Sequence, residues 1–442
     1  MGQKVNLKVS NYRFEKIKFR NLIPIFLFYS FGILSNYIFT VLVVKILDIE
    51  AWGIFATFLA YFQIASKLTL FGMDTTLLKL ISEYLALKKF SEIKEIYKKI
   101  IFLSISFSFL TILFFQILKN SFLFQKVNFG GNFFLVLPFY NQLLLNAEFI
   151  RAFEDTYLYL IFRQFGIYIL SIIIFLILLK AQKSLYIPEI SYSLAIIILF
   201  FISTIYVFRY LKNLKSCKTL DKSEITYSFI LNLSFSLFIS SLFVTFNNWI
   251  DIIILSTFRT HKEVGIYNIF QKVSCLINLP LNIVNIFIVP KFAKLWAKNR
   301  KRELIKLATN VTKFILIISI LITLIFLMSY KYILIFFLKN HIDNNYNFFS
   351  FFILVFTYLI NVAFGNVGYI LKITSYQNFY RNVMLLSTLV NVILNIILVP
   401  IFGILGASIS FFIYTALWNI LCSYKIKQIF KYSIIGEVIK IR

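Results

Sequence analysis

Charge is scarce in this chain, and acid is scarcest. Only 14% of its 442 residues are charged, and the acidic residues number 18 against 45 Lys and Arg. An ordinary soluble domain is about 25% charged, so a soluble domain of any size is excluded. Cysteine is nearly absent. Cys217, Cys275 and Cys422 fall in loops of one side or within apolar segments, which excludes a disulfide framework. The two histidines, His261 and His341, stand alone in short loops with no Cys, His or carboxylate cluster near them. No metal site and no cofactor are therefore expected. A Walker-type phosphate loop is also missing, so ATP is not expected to drive the chain directly. Glycine and proline are few, 13 and 6, which makes any regular spacing among them informative.

What the chain has is apolar length. It is 60% hydrophobic, and the apolar residues come in blocks of about twenty, the span of a bilayer core. The blocks are too long for barrel strands and lack period-2 alternation. Together they predict an all-α polytopic membrane protein of about twelve transmembrane helices. The segments are 22–44, 53–73, 100–118, 133–150, 160–179, 189–208, 227–257, 265–290, 307–328, 347–371, 383–399 and 407–424. The seventh is longer than a bilayer needs and must tilt, bend or protrude. Residues 1–21 are basic, but a full-length apolar run follows without a small-x-small cleavage site. That run is expected to remain as the first helix.

The basic excess first suggests a nucleic-acid partner. Its distribution argues against one. With a cytoplasmic N-terminus, 32 Lys and Arg fall in inner segments, nine in outer loops and four within spans. This is the positive-inside pattern. It predicts a multi-pass protein of the cytoplasmic membrane with both termini inside. "KFAKLWAKNRKRELIK" then reads as a juxtamembrane segment facing anionic membrane lipid.

The chain also looks built twice. "NYIFTVLVVKILDIEAWGIF" (36–55) aligns with "NWIDIIILSTFRTHKEVGIY" (248–267) at an offset of 212. Asn36 falls on Asn248 and Gly53 on Gly265. Further on, Lys79 falls on Lys291, Pro188 on Pro400 and Ala195 on Ala407. Two parallel six-helix repeats are expected, 1–212 and 213–442. An axis along the membrane normal would relate them, with a substrate path between the halves.

Polar residues interrupt the apolar blocks at helical spacing. Asn232, Ser236, Ser240, Asn247 and Asp251 share a face of the seventh span. The eighth carries Asn268, Gln271, Cys275, Asn278, Asn282 and Asn285, and the eleventh Ser387, Asn391 and Asn395. Such faces turn from lipid towards one another or towards water. Interhelical hydrogen bonding would explain single asparagines. The paired stripes of the seventh and eighth spans are read as lining a cavity. Among the span cations, Lys67 and Lys272 lie too deep to snorkel easily, whereas Lys313 lies close to an end. Asp74 sits near the inner end of the second span with Gln63 and Lys67. Glu148 and Arg151, three apart, read as an interfacial ion pair or an inner gate. Asp251 costs about 2.5–3.5 kcal/mol at a span centre. With the turn taken as 258–264, it and Lys272 come to similar depth, either as a static pair or as a proton-linked switch. "DIE" at 48–50 resembles an acidic loop motif of integral-membrane glycosyltransferases. The loop is under ten residues and leaves no room for an acceptor, so no enzyme is expected.

"VKILDIEAWGIFATFLAYFQIASKLTLFGMDTTLLKLISEY" resembles the first loop and second helix of polysaccharide (O-antigen-type) flippases, with Gly53 and Gly72 at the family's glycine positions. These belong to the multidrug/oligosaccharidyl-lipid/polysaccharide exporter superfamily. "DIIILSTFRTHKEVGIYNIFQKV" resembles their helix 7–8 hairpin. "VNVILNIILVPIFGILGASIS" resembles their helix 11–12 passage, with Asn391, Asn395, Pro400, Gly403 and Gly406. The resemblance implies a V-shaped bundle like that of multidrug and toxin extrusion (MATE) transporters. It also implies an undecaprenyl-diphosphate-linked glycan as substrate, with the polysaccharide polymerase machinery as a partner. Lys67 and Lys272 would meet the diphosphate. Asn36, Asn248, Asn268, Gln271 and Asn278 would meet the sugars. Asp251, Asp74, Glu148 and Arg151 would couple ions or gate. The alternative is a cation-coupled multidrug antiporter of the same fold, whose cavity would favour acidic residues. A non-transporting membrane scaffold would not need polar stripes in both halves.

Overall fold

The computed structural model describes residues 22–118, 133–181, 183–214, 225–338, 345–374 and 376–432. Cys217 and His341 lie outside them. Every regular element among the described residues is helical. In the first half, α1 is Leu22–Ile46, α2 Ile49–Leu70, α3 Met73–Ala86 and α4 Phe90–Leu118. A 3-10 turn at Phe133–Val136 leads into α5, Leu137–Ala152. The short α6, Thr156–Leu160, passes through a π-helical turn, Ile161–Phe165, into α7, Gly166–Ala181. Helix α8, Ile187–Asn213, closes the half.

The second half begins with α9, Tyr227–Phe258. It is followed by α10, His261–Cys275, and, after a 3-10 turn, by α11, Leu279–Ala297. Then come α12, Lys301–Met328, α13, Tyr330–Leu338, and α14, Asn345–Phe364. Helices α15, Val367–Ile373, α16, Gln377–Phe402, and α17, Ile404–Phe430, complete it.

Eight of these helices are long and apolar enough to cross a bilayer, and ten if each of two sharply bent pairs counts as one span. The chain is thus a multi-pass membrane protein. The expected apolar segments all fall on helix, several of them broken. The second breaks at Phe71 and Gly72, both left-handed. Helices also run past the apolar blocks. α4 starts at Phe90, ten residues before its block, through a charged turn in which Lys99 pairs with Glu95. Backbone hydrogen bonding and such i,i+4 pairs carry a helix into water where hydropathy no longer marks it. At 32 residues, α9 is about 48 Å long, well beyond a bilayer core of about 30 Å. The outward faces are apolar, as lipid requires. Phe109, Leu113 and Ile117 of α4 are exposed, as are Ile317, Leu321, Leu324 and Met328 of α12.

The central helix is α2. Trp52, Phe55, Phe58 and Phe62 are fully buried along it. It joins the halves by packing on α9 and α10. Gly53 and Gly265 set how closely α2 and α10 approach. A Cβ on Gly53 would lie 1.7 Å from the His261 carbonyl oxygen, and one on Gly265 would lie 2.5 Å from that of Ile49. Ile49 and His261 are themselves 212 apart, so the contact is reciprocal about a local two-fold axis. The offset drifts further along. Helices α8 and α17 begin 217 apart, and Pro188 opens α8 whereas Pro400 lies inside α16. At the other end of the joint, Phe71 stacks on Phe238 at 4.7 Å, and Ser234 donates to Thr76 at 2.9 Å.

Candidate functional site

Charged side chains anchor three of the polar clusters among the described residues of the bundle. The first surrounds Asp251, which is fully buried on α9. Its Oδ1 accepts from Asn395 Nδ2 at 2.8 Å and from Asn391 Nδ2 at 3.1 Å. Its Oδ2 accepts from the Tyr267 hydroxyl at 3.1 Å. One turn before, Asn247 donates to Thr388 at 2.6 Å. Helices α9, α10 and α16 thus enclose one carboxylate with three neutral donors. The side-chain oxygens of Asn247 and Asn395 are buried without a partner. The cluster retains spare acceptor capacity around a negative charge, a setting suited to a proton or a small cation.

The second cluster bridges the halves. Lys272, on α10, donates to Asn36 Oδ1 at 2.8 Å and to Thr40 Oγ1 at 3.0 Å, both on α1. Its ammonium lies 4.3 Å from the centre of the Trp52 ring. Trp52 Nε1 donates to Asn268 Oδ1 at 3.1 Å, and the Tyr37 hydroxyl donates to the Lys272 carbonyl at 2.6 Å. Every partner of this ammonium is neutral, so an anion can displace them without separating an ion pair.

The third cluster belongs to the first half. Lys67 pairs with Asp74 at 2.7 Å across the break in the second span. Arg151 meets Glu148 at 3.3 Å and lies over the Tyr159 ring at 4.8 Å. Gln63 donates to the Tyr140 hydroxyl at 2.9 Å. Arg163, in the π-helical turn, shares the electrostatic neighbourhood of Asp74 and Glu148. Sequence reasoning passed it over, although it is the fourth basic residue within the apolar spans.

Several expectations change. Asp251 and Lys272 do not pair. Tyr267 and Lys272 are five residues apart on α10, roughly 140° around the helix. Tyr267 therefore faces Asp251 while Lys272 faces α1. Depth differs as well, because the turn is short and α10 already begins at His261. Asp251 then lies about 10 Å from that end and Lys272 about 16 Å. Among the described residues, no hydrogen bond joins the polar stripe of the seventh span to that of the eighth. Asn247 and Asp251 meet the α16 residues Thr388, Asn391 and Asn395, while Asn232 and Asn248 are exposed. Asn248 is one residue beyond Asn247 and so about 100° away, which takes it out of the cluster. Among the described residues Gln271 makes no side-chain hydrogen bond to either group. Asn278 accepts from Asn361 at 3.3 Å, and Asn361 accepts from Asn419 at 3.0 Å, a chain within the second half. Asn36 and Asn268 do come together around Lys272. Asp48 caps α2 by accepting from the Ile49 N–H at 2.7 Å, so the acidic loop has a structural duty. Among the described residues no group of His, Cys, Asp and Glu is arranged to hold a metal ion.

The fold is shared with known transporters. The lipid II flippase MurJ in an inward closed conformation superposes with a TM-score of 0.61 at 14% identity, over 95% of this chain and 89% of that one. A multidrug resistance MATE family transporter of the MOP superfamily, inward-facing, gives 0.61 at 12% identity, over 94% and 96%. The MATE multidrug transporter DinF-BH gives 0.62 at 16%, again over 94% and 96%. No curated protein sequence matches closely enough to count as a relative. Residues 19–296 match the family described as polysaccharide biosynthesis protein. That match covers well over half of the sequence, and the chain belongs to that family.

Proposed function

We propose that the protein is a flippase that moves polyprenyl-diphosphate-linked oligosaccharide across the cytoplasmic membrane for polysaccharide biosynthesis. The observation that carries this reading is Lys272, an ammonium deep between the halves that is held only by neutral groups of the opposite half. A diphosphate is the anion it suits. Asn36, Asn268 and the Trp52 face beside it suit a polyhydroxylated sugar, which stacks on aromatic rings and hydrogen-bonds to amides. The polyprenyl tail stays in the bilayer. Halves 1–212 and 213–442 rock against each other, opening and closing the joint at Gly53 and Gly265, with both termini in the cytoplasm. Asp251 is the coupling carboxylate, taking a proton or a sodium ion. The chain performs no covalent chemistry, and its product passes to the polymerase machinery outside.

The alternative is a cation-coupled multidrug antiporter, favoured by the likeness to MATE transporters and by the uncompensated charge of Asp251. The test is reconstitution in vesicles with a fluorescent lipid-linked oligosaccharide. Flipping should appear with the protein and fall at least tenfold with Lys272→Ala. Export of cationic dyes with no glycan flipping would establish the antiporter instead.

A further inference from the structure

Four basic residues lie within the apolar spans. Lys67 is neutralised by Asp74, Lys272 is held by α1, and Lys313 is half-buried within α12. Arg163, like Lys313, makes no hydrogen bond or ion pair among the described residues, and of the two only Arg163 has its charged group buried, at Nη1. It stands in the π-helical turn Ile161–Phe165, closed by the Gly166 N–H donating to the Ile161 carbonyl. A Cβ on Gly166 would lie 2.7 Å from that carbonyl oxygen and 3.3 Å from the Leu199 methyls. The glycine therefore allows the turn and its packing at once. Such a turn re-aims the side chains it carries, which is why π turns collect at functional sites.

Around Arg163 the charges do not balance. Its charged neighbours are Asp74 and Glu148, with the phenols of Tyr140 and Tyr159 alongside. Asp74 is already bound by Lys67 and Glu148 by Arg151. Three cations face two carboxylates, so one positive charge is left over inside the bundle. A guanidinium cannot shed its proton, and an uncompensated buried charge is costly. An anion removes that cost. The planar fork of Arg matches phosphate oxygens two at a time.

We infer that Arg163 forms a second phosphate-binding station, separate from Lys272, beside the Lys67–Asp74 and Arg151–Glu148 pairs. This rests on the flippase reading. Arg163 lies seven residues into the span that begins at Thr156, about 10 Å from the end of the bundle at which α1 also begins. Lys272 lies deeper. An anionic head group entering from that end meets Arg163 first and Lys272 second. The diphosphate is thus handed from the first half to the joint.

The full-length protein in nanodiscs of neutral lipid is titrated with undecaprenyl diphosphate, read by tryptophan fluorescence and native mass spectrometry. Inorganic pyrophosphate and phosphatidylglycerol serve as competitors. Wild type binds, and pyrophosphate competes. Arg163→Gln weakens binding at least tenfold, and Arg163→Lys weakens it less. Undecaprenol, without phosphate, distinguishes none of them. Arg163→Met, which keeps the volume, repeats the measurement should the Gln variant not fold. Unchanged diphosphate affinity in a folded Arg163 variant overturns the station. So does preferential occupancy by phosphatidylglycerol that pyrophosphate cannot displace, because the site then belongs to a bilayer lipid. If Lys272→Ala loses binding while Arg163→Gln does not, the station falls and the flippase reading stands. If wild type binds no lipid diphosphate, both fall.

Discussion

Gly53 and Gly265 face each other across the joint between the halves, each beneath a backbone carbonyl of the other's helix. The helices approach so closely that hydrogen is the only side chain that fits. Both carbonyls belong to the first residues of α2 and α10, so the contact sits at the hairpin end and closes it. Under alternating access this is a contact that must break.

Gly53→Ala and Gly265→Ala should therefore each loosen the closed end. Overpacking costs about 1–3 kcal/mol where neighbours can shift, and backbone atoms shift least. Gly53→Ala should be the worse, because its added carbon lies nearer the opposing carbonyl. Both variants should melt below wild type in detergent. A cysteine introduced near the joint should also react faster with an impermeant thiol reagent from the hairpin side. Unchanged melting and labelling in Gly53→Ala would show that the joint is looser than its geometry.

Asp251 separates charge from hydrogen bonding. Asp251→Asn keeps an acceptor for Asn391, Asn395 or Tyr267 and removes the charge. Asp251→Leu leaves the Asn391 amide and the Tyr267 hydroxyl buried without an acceptor, at about 1–3 kcal/mol each, while Asn395 still donates to Asn391. The Asn variant should reach the membrane at wild-type level and flip glycan without responding to an imposed proton or sodium gradient. The Leu variant should accumulate poorly and melt early. An Asn variant that keeps full gradient dependence would remove Asp251 from coupling.

The sequence announced Asp251 because a carboxylate in an apolar run has few bland explanations. The stripe of Asn391 and Asn395 was equally visible. Their meeting was not, since α9 and α16 are about 140 residues apart and periodicity within one helix does not say which neighbour it faces. A turn taken as 258–264 also misplaces depth, because α10 already begins at His261. The partner of Lys272 is set by its face, about 140° around α10 from that of Tyr267. Arg163 was hidden for another reason. A π turn has no periodic signature, and "LIFRQFGIY" shows only Gly166 as a hint. The apolar blocks, by contrast, were legible from end to end, because lipid imposes length and composition on every span.

Arg259 fastens two hairpins of the second half. Its Nη2 donates to the carbonyls of Pro400 at 2.8 Å and Ile401 at 3.1 Å, and its Nε donates to that of Val399 at 3.2 Å. The Pro400 and Ile401 carbonyls lie in the last turn of α16, beyond its final backbone bond from the Gly403 N–H to Val399, and a cation there also complements the helix dipole. Arg259→Lys keeps the charge but not the fork, so it should protect less. Hydrogen exchange around residues 399–407 should quicken in Arg259→Ala and, to a smaller degree, in Arg259→Lys. Equal exchange in all three proteins would mean that the hairpins are held by packing alone.

Lys67 and Lys272 looked alike in the sequence and should differ in experiment. Lys67 is bound to Asp74, and both side chains are largely buried. Removing one partner of such a pair strands the other and costs about 3–5 kcal/mol, whereas removing both with apolar replacements is often nearly neutral. Lys67→Ala should therefore lower stability and membrane level sharply, and Lys67→Met combined with Asp74→Leu should recover most of that loss. The double variant leaves the excess positive charge around Arg163 unchanged, so glycan binding should survive in it. Lys272 has only neutral partners, and Asn36 and Thr40 lie at a joint that opens. Lys272→Met should melt close to wild type while flipping falls at least tenfold. The two lysines are thus separated by which quantity moves, stability for Lys67 and transport for Lys272. Stable Lys67→Ala protein with no flipping would instead make Lys67 a direct substrate contact and Asp74 its resting counter-ion.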